Sequence, residues 1–131
     1  MQDQLKSIAV DWSDEAQELL SAAVPNGNIL DIKNQVDQGA SLFKLSHGDK
    51  LIGYYVLRID RLAQHNEAVI VAAVGVHDFI DLTMTICPVI ETQINNCSFI
   101  RIHTARPGLV KKLALIGYQP QEFVMRKALN V

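Results

Sequence analysis

The sequence predicts a mixed α/β (α+β) fold: one mixed sheet with helices on both faces, in the order β-α-α-β-β-β-α-β-α-β. Three observations predict it. The chain has 131 residues, 49% apolar and 20% charged, enough for one domain with a real core and unlike a disordered or fibrous chain. Helical and extended runs follow one another without internal repeat, linker or low-complexity tract, so 1–131 reads as a single domain. The run Leu51 to Asp60 is apolar on both faces for half its length, as a central strand covered on both sides requires.

The elements follow in order. Leu5 to Val10 is a first strand. Ser13-Asp14-Glu15 starts a helix, a hydroxyl capping free N–H groups and two acids at the positive end of the dipole. Ala16, Leu19, Leu20 and Ala23 form its apolar side, and Pro25-Asn26-Gly27 ends it. Asn28 caps a second helix with Ile29, Ile32 and Val36 inward and Gly39 closing it. Ser41 to Ser46 and Leu51 to Asp60 are strands joined by His47-Gly48-Asp49-Lys50, a hairpin signal. In the second, Leu51, Tyr55, Leu57 and Ile59 share one face, with Ile52, Tyr54 and Val56 on the other. Glu67 to Gly75 is a buried strand whose small residues let another group approach its backbone. Asp78 to Asn95 is helical, kinked or broken at Pro88. Ile100 and Ile102 alternate with Arg101 and His103 in a fifth strand. Leu109, Leu113 and Ile116 then mark a short helix stopped by Gly117, and Phe123-Val124-Met125 opens a return strand.

Charge and composition exclude several classes. A net charge of -2 with scattered Lys and Arg gives no footprint for nucleic acid. No apolar run approaches the roughly 18–20 residues of a membrane span. The start has no signal-peptide pattern, which makes the cytoplasm the expected location. Cys87 and Cys97 fit neither a zinc pair nor a redox motif, and Cys87 reads as a small core residue. His47, His65, His77 and His103 lack ligand spacing, so no metal site is expected.

The unit from Leu113 to Tyr118, followed by Phe123 to Leu129, resembles the C-terminal end of the GNAT acyltransferase fold. That fold closes with a strand, a helix ending in Gly-Tyr or Gly-Phe, and a final strand. The run His103-Thr104-Ala105-Arg106-Pro107-Gly108-Leu109 is similar to short GNAT-like proteins of phages and prophages. The resemblance implies acyl-CoA held in a V-shaped opening between the fourth and fifth strands, with its pyrophosphate on the N-terminus of the next helix. The physics is that of an anion on free N–H groups and a helix dipole.

The family's signature there is Gln or Arg, two residues, Gly, one residue, then Gly or Ala. The equivalent stretch here, Val74-Gly75-Val76-His77-Asp78, has one glycine and no basic residue at the signature position. Asp78 is placed to cap the N–H groups that a pyrophosphate needs, so the loop reads as degenerate. The family's tyrosine, four residues before the last helix's glycine, is replaced by Leu113. Base candidates are Glu67, at the start of the fourth strand, and His103, at the end of the fifth. Tyr54, Thr104 and Arg106 are candidates to line the cleft, Thr104 also as a cap of the last helix and Arg106 also as an ion-pair partner.

Two functions follow. One is an N-acetyltransferase moving an acetyl group from acetyl-CoA to an amine of a small molecule or protein, with the backbone of Val71 to Gly75 holding the pantetheine arm. The other is a catalytically inactive GNAT-fold module, of phage or prophage type, that binds a protein partner. Apolar residues near the C-terminal strand also permit a homodimer.

Overall fold

The structure, a computed structural model, describes residues 5–24, 28–76, 82–104 and 106–129. Its elements are β1 (Leu5–Val10), α1 (Asp14–Ser21), α2 (Ile29–Asp37), β2 (Ser41–His47), β3 (Lys50–Arg61), β4 (Asn66–Gly75), α3 (Leu82–Gln93), β5 (Phe99–Ile102) and α4 (Pro107–Leu115). The strands form one sheet in the order β1-β2-β3-β4-β5, antiparallel except for the last pair, β4 with β5. This is the mixed sheet that the sequence predicts, covered by α1 and α2 on one face and by α3 and α4 on the other.

Local chemistry fixes the element ends. The Ser13 side chain accepts from Ala16 N at 3.1 Å, and Asn28 Oδ1 accepts from Leu30 N at 2.9 Å. Gly48, at φ 61°, makes the two-residue turn in which His47 faces Lys50. Gly117, at φ 97°, lets Tyr118 N reach Leu113 O (3.0 Å) and Gly117 N reach Ala114 O (3.3 Å), which stops α4. Pro88 lies inside α3, which continues through it as one helix; the start expected at Asp78 falls outside the described residues.

Two irregularities correct the expected faces. Between β2 and β3, Leu45 faces Gly53 while Ser46 faces Leu51, so Ile52 is an extra residue. Ile52 therefore packs with Tyr55 and Leu57 under α3, and Leu51 joins Tyr54 and Val56 under α1, the reverse of simple alternation. Between β3 and β4, Val56 faces Ala72 and Leu57 faces Ile70, leaving Val71 as the extra residue. Ala68 and Ile70 thus lie on the α3 face, while Ala72 and Val74 lie on the α1 face.

Two tyrosines of β3 tie the layers together. The buried Tyr55 hydroxyl bonds Ser7 Oγ of β1 and donates to Gln93 Oε1 of α3 (2.6 Å), while Gln93 Nε2 donates to Ser7 Oγ (3.1 Å). Tyr54, on the other face, donates to Glu15 of α1.

One expected element differs. Residues 116–129 contain no strand, and the return strand from Phe123 to Leu129 is not formed. Phe123 is 95% and Met125 92% exposed, with Val124 and Leu129 also out in solvent. Burying such a side chain is worth about 1.5–3 kcal/mol, a gain that these exposed side chains do not make among the described residues.

Candidate functional site

The β4–β5 ladder is short. It runs from Glu67 facing Phe99 to Ile70 facing Ile102, and there it stops. The next residue of β4 is Val71, the extra residue of the bulge, and β4 continues along β3 to Gly75 without β5 beside it. A bulge re-aims the strand, and a parallel neighbour that ends at the same point leaves one side of Val71 to Gly75 without that partner. The sheet therefore opens between β4 and β5. Gly53 makes the close approach on the other side, where a Cβ would lie 2.1 Å from Val74 O.

Beside this opening, on the α2 side, lies a cavity of about 340 Å³ lined by Ile32, Gln35, Arg58, Val69, Val71, Arg101 and His103, among others. Arg58, Val69 and Arg101 are neighbours across β3, β4 and β5, and Asp60, Glu67 and Phe99 form the next such row. These rows carry a charge network. Arg58 Nε donates to Asp60 Oδ1 (2.7 Å) and its Nη1 to Gln35 Oε1 (2.7 Å). Arg101 Nη2 donates to Asp60 Oδ2 (3.0 Å), Nη1 to Glu67 Oε2 (2.7 Å), and Nε to His103 Nε2 (3.1 Å). Arg58, seconded by Arg101, holds the Asp60 carboxyl below the usual range, and Asp60 in turn raises Arg58. The Arg101 bond anchors the His103 ring through its Nε2.

The residues singled out in the sequence are thus distributed as follows. Glu67 and His103, predicted as alternative bases, are brought together through Arg101, with Glu67 engaged by the guanidinium. Arg101 itself was missed; its only signal was a cation alternating with apolar residues in a strand beside the cleft. Tyr54 is buried against α1, and burial, with the bond to Glu15, pushes its hydroxyl up to about 12, so that hydroxyl serves the core. Thr104 Oγ1 accepts from Arg106 N (3.1 Å), ordering the loop before α4; the cap position is held by Arg106, which makes no side-chain cap bond. The exposed Arg106 side chain forms no ion pair among the described residues. Val74 and Gly75 end β4, and Val76 N donates to Ile52 O (3.0 Å), fixing the exit of that strand against β3. His77 and Asp78, and with them the degenerate pyrophosphate loop, lie outside the described residues.

On the α3 face, Leu113, at the position where the resemblance would put a tyrosine, is buried. Tyr118 packs on the same core, its hydroxyl donating to Glu91 Oε2 (3.0 Å) and raised by burial and the adjacent Cys87. Cys87 and Cys97 are both free, and burial pushes the Cys87 thiol up. Among the described residues no group of His, Cys, Asp and Glu is placed to hold a metal ion, and no helix is long and apolar enough to cross a membrane.

No protein-family model matches the chain, and no curated protein sequence matches it either. Solved structures do. A Trypanosoma brucei acetyltransferase superposes with a TM-score of 0.64 at 17% identity, covering 96% of this chain and 100% of its own. A Bacillus subtilis acetyltransferase in complex with CoA gives a TM-score of 0.62 at 22% identity, over 86% of this chain and 73% of its own. An aminoglycoside N-acetyltransferase, also in complex with CoA, gives a TM-score of 0.65 at 13% identity, over 98% and 97%. With the parallel β4–β5 pair, the bulge and the opening beyond it, these likenesses establish that the chain has the fold of the GNAT acetyltransferases.

Proposed function

We propose that the protein is an N-acetyltransferase that moves the acetyl group of acetyl-CoA to an amine. The observation that carries this is the end of the β4–β5 ladder at Ile70 and Ile102, beside the bulge at Val71. Past that point the backbone of Val71 to Gly75 has a side that β5 leaves unpaired, suited to the amide groups of a pantetheine arm laid along it as a further strand would be. Two structural neighbours are in complex with CoA, which supports a CoA ligand for this fold. Bound acetyl-CoA would supply an acetyl thioester whose carbonyl is open to attack by the amine.

The residues of this chain divide the remaining work. His103, at the mouth of the cavity, receives the proton of the incoming amine. Arg101 holds that imidazole by its Nε2, so the lone pair of this nitrogen can take a proton only when the bond parts. Glu67 and Asp60 fix Arg101 from behind. Arg101 holds both candidate bases, Glu67 through one carboxylate oxygen (2.7 Å) and His103 through Nε2 (3.1 Å), but only His103 lines the cavity, so His103 is the first choice. Arg106, at the α4 N-terminus, and Thr104 flank the acceptor side.

A second reading has its own observation. Leu113, buried in the core, takes the place where the family keeps an acid for the departing thiolate. A GNAT-fold module that binds a protein partner without turnover fits that loss. CoA release from acetyl-CoA, followed with a panel of small amines and lysine peptides, separates the two. The enzyme predicts amine-dependent release that falls about 10²–10⁴-fold in His103→Ala, the range of a lost general base. No release with any amine, at protein concentrations that would reveal a single turnover, favours the module.

A further inference from the structure

We propose that the cavity beside the opening is a carboxylate-binding subsite built by Arg58, Arg101 and Gln35, and that the acceptor is a small amine carrying a carboxylate, of the amino-acid type. The acceptor class rests on the acetyltransferase reading above. The first observation is the charge that the cavity shows to a ligand. Its polar lining is Gln35, Arg58, Arg101 and His103, and no carboxylate of the described residues lines it. Asp60 and Glu67 stand in the row behind, further from the end of the β4–β5 ladder, and hold the two guanidiniums from that side. At about 340 Å³ the cavity has the size of a small ligand's site, near the low end of the about 300–1,000 Å³ range.

The second observation is spare hydrogen-bonding capacity. Of a guanidinium's five N–H donors, Arg58 uses three, two on Asp60 and one on Gln35 Oε1. Arg101 also uses three, one each on Asp60, Glu67 and His103. Two donors therefore remain on each, and the Gln35 amide, oriented by accepting from Arg58, keeps its Nε2 hydrogens without a partner among the described residues. The two guanidiniums already converge on one anion, since Nη2 of Arg58 and Nη2 of Arg101 lie 3.1 and 3.0 Å from the same Asp60 Oδ2. Their side chains are 36% and 35% exposed, so a ligand can reach them. A planar carboxylate matches such forks of donors, whereas an ammonium group would meet donors and like charge. His103 follows Arg101 by one two-residue strand step, about 7 Å, and lines the same cavity nearer the opening. A carboxylate held by the guanidiniums thus sets an amine one or two carbons away beside the imidazole. Transfer then forms the amide N–C bond and breaks the thioester C–S bond, with one amine proton passing to His103 and CoA leaving as the thiolate.

Initial rates of CoA release from acetyl-CoA by the full chain test the class, with amino acids, their carboxamides and decarboxylated amines, spermidine and an aminoglycoside as acceptors. The expected kcat/KM is at least about tenfold higher for the best α- or β-amino acid than for its carboxamide, and lower still for the two polycations. Arg58→Gln removes one fork, and Gln35→Glu keeps a group that accepts from Arg58 but puts a carboxylate on the cavity wall. Each brings the acid-to-carboxamide ratio to within about threefold of one, with unchanged circular dichroism. Calorimetric titration with N-acetyl amino acids and their carboxamides, without acetyl-CoA, reads the subsite apart from turnover, and the acids bind at least about tenfold tighter. Turnover that favours carboxamides or polycations overturns the proposal and leaves the acetyltransferase standing. So does an acid preference that both variants keep. No turnover with any amine, together with tighter acid binding that both variants lose, removes the acetyltransferase and keeps the carboxylate subsite. Neither turnover nor acid binding overturns both.

Discussion

Arg101 is the residue on which the site turns. A single guanidinium reaches Asp60, Glu67 and His103, using the fixed fork of donors that a lysine lacks. Its ion pairs are partly exposed and contribute little to stability, so its consequence is positional. In an active enzyme, Arg101→Gln is expected to lower kcat by about tenfold to a hundredfold while the KM for acetyl-CoA moves by less than about threefold. Equal losses in both, or a large fall in thermal stability with no kinetic effect, would make it a structural residue. Tyr54 gives a prediction of a different kind. Its ionisation lies near 10 in the unfolded chain and at about 12 in the folded one, so the neutral hydroxyl stabilises the fold. That contribution is complete below pH about 10 and is lost as pH rises through about 12. Tyr54→Phe should cost about 1 kcal/mol at neutral pH and flatten the fall of stability in that alkaline window. Denaturant unfolding at a series of pH values reads both, and an unchanged alkaline slope would contradict the assignment.

At the scale of elements, β4 and the strand beside it decide where the site is. Gly53 lies against the carbonyl of Val74, with room for no side chain. Gly53→Ala must push β3 and β4 apart, at a cost of about 3 kcal/mol and a fall in Tm on the order of 10 °C by thermal scan. A shift within a degree or two would mean that the strands yield freely. The same elements mark how far the sequence could be read. The caps Ser13 and Asn28, the stop at Gly117 and the Gly48-Asp49 turn were legible, because each rests on a few adjacent residues. The bulges at Ile52 and Val71 were not. A bulge is a relation between two strands, and one extra residue turns every later side chain to the other face. That is why Leu51 and Ile52 were expected on the wrong faces. The partnership of Glu67 and His103 through Arg101 was hidden for the same reason, since it depends on β4 and β5 running in parallel and in register.

For the whole molecule, the order of strands and helices up to α4 agrees with what the sequence predicts, while the last strand does not form. The alternation from Phe123 to Met125 was legible, but whether such a run becomes a strand depends on a partner that adjacent residues do not specify. The central claim is that the open edge of β4 is an acyl-CoA site, and isothermal titration of the full chain with acetyl-CoA, with desulfo-CoA as comparison, tests it most directly. The account predicts a dissociation constant in the micromolar range, about -8 kcal/mol, for both ligands, because the pantetheine arm is held by backbone and not through the sulfur. No heat with either ligand at millimolar concentration would contradict it, and would leave a GNAT fold whose opening serves a protein partner.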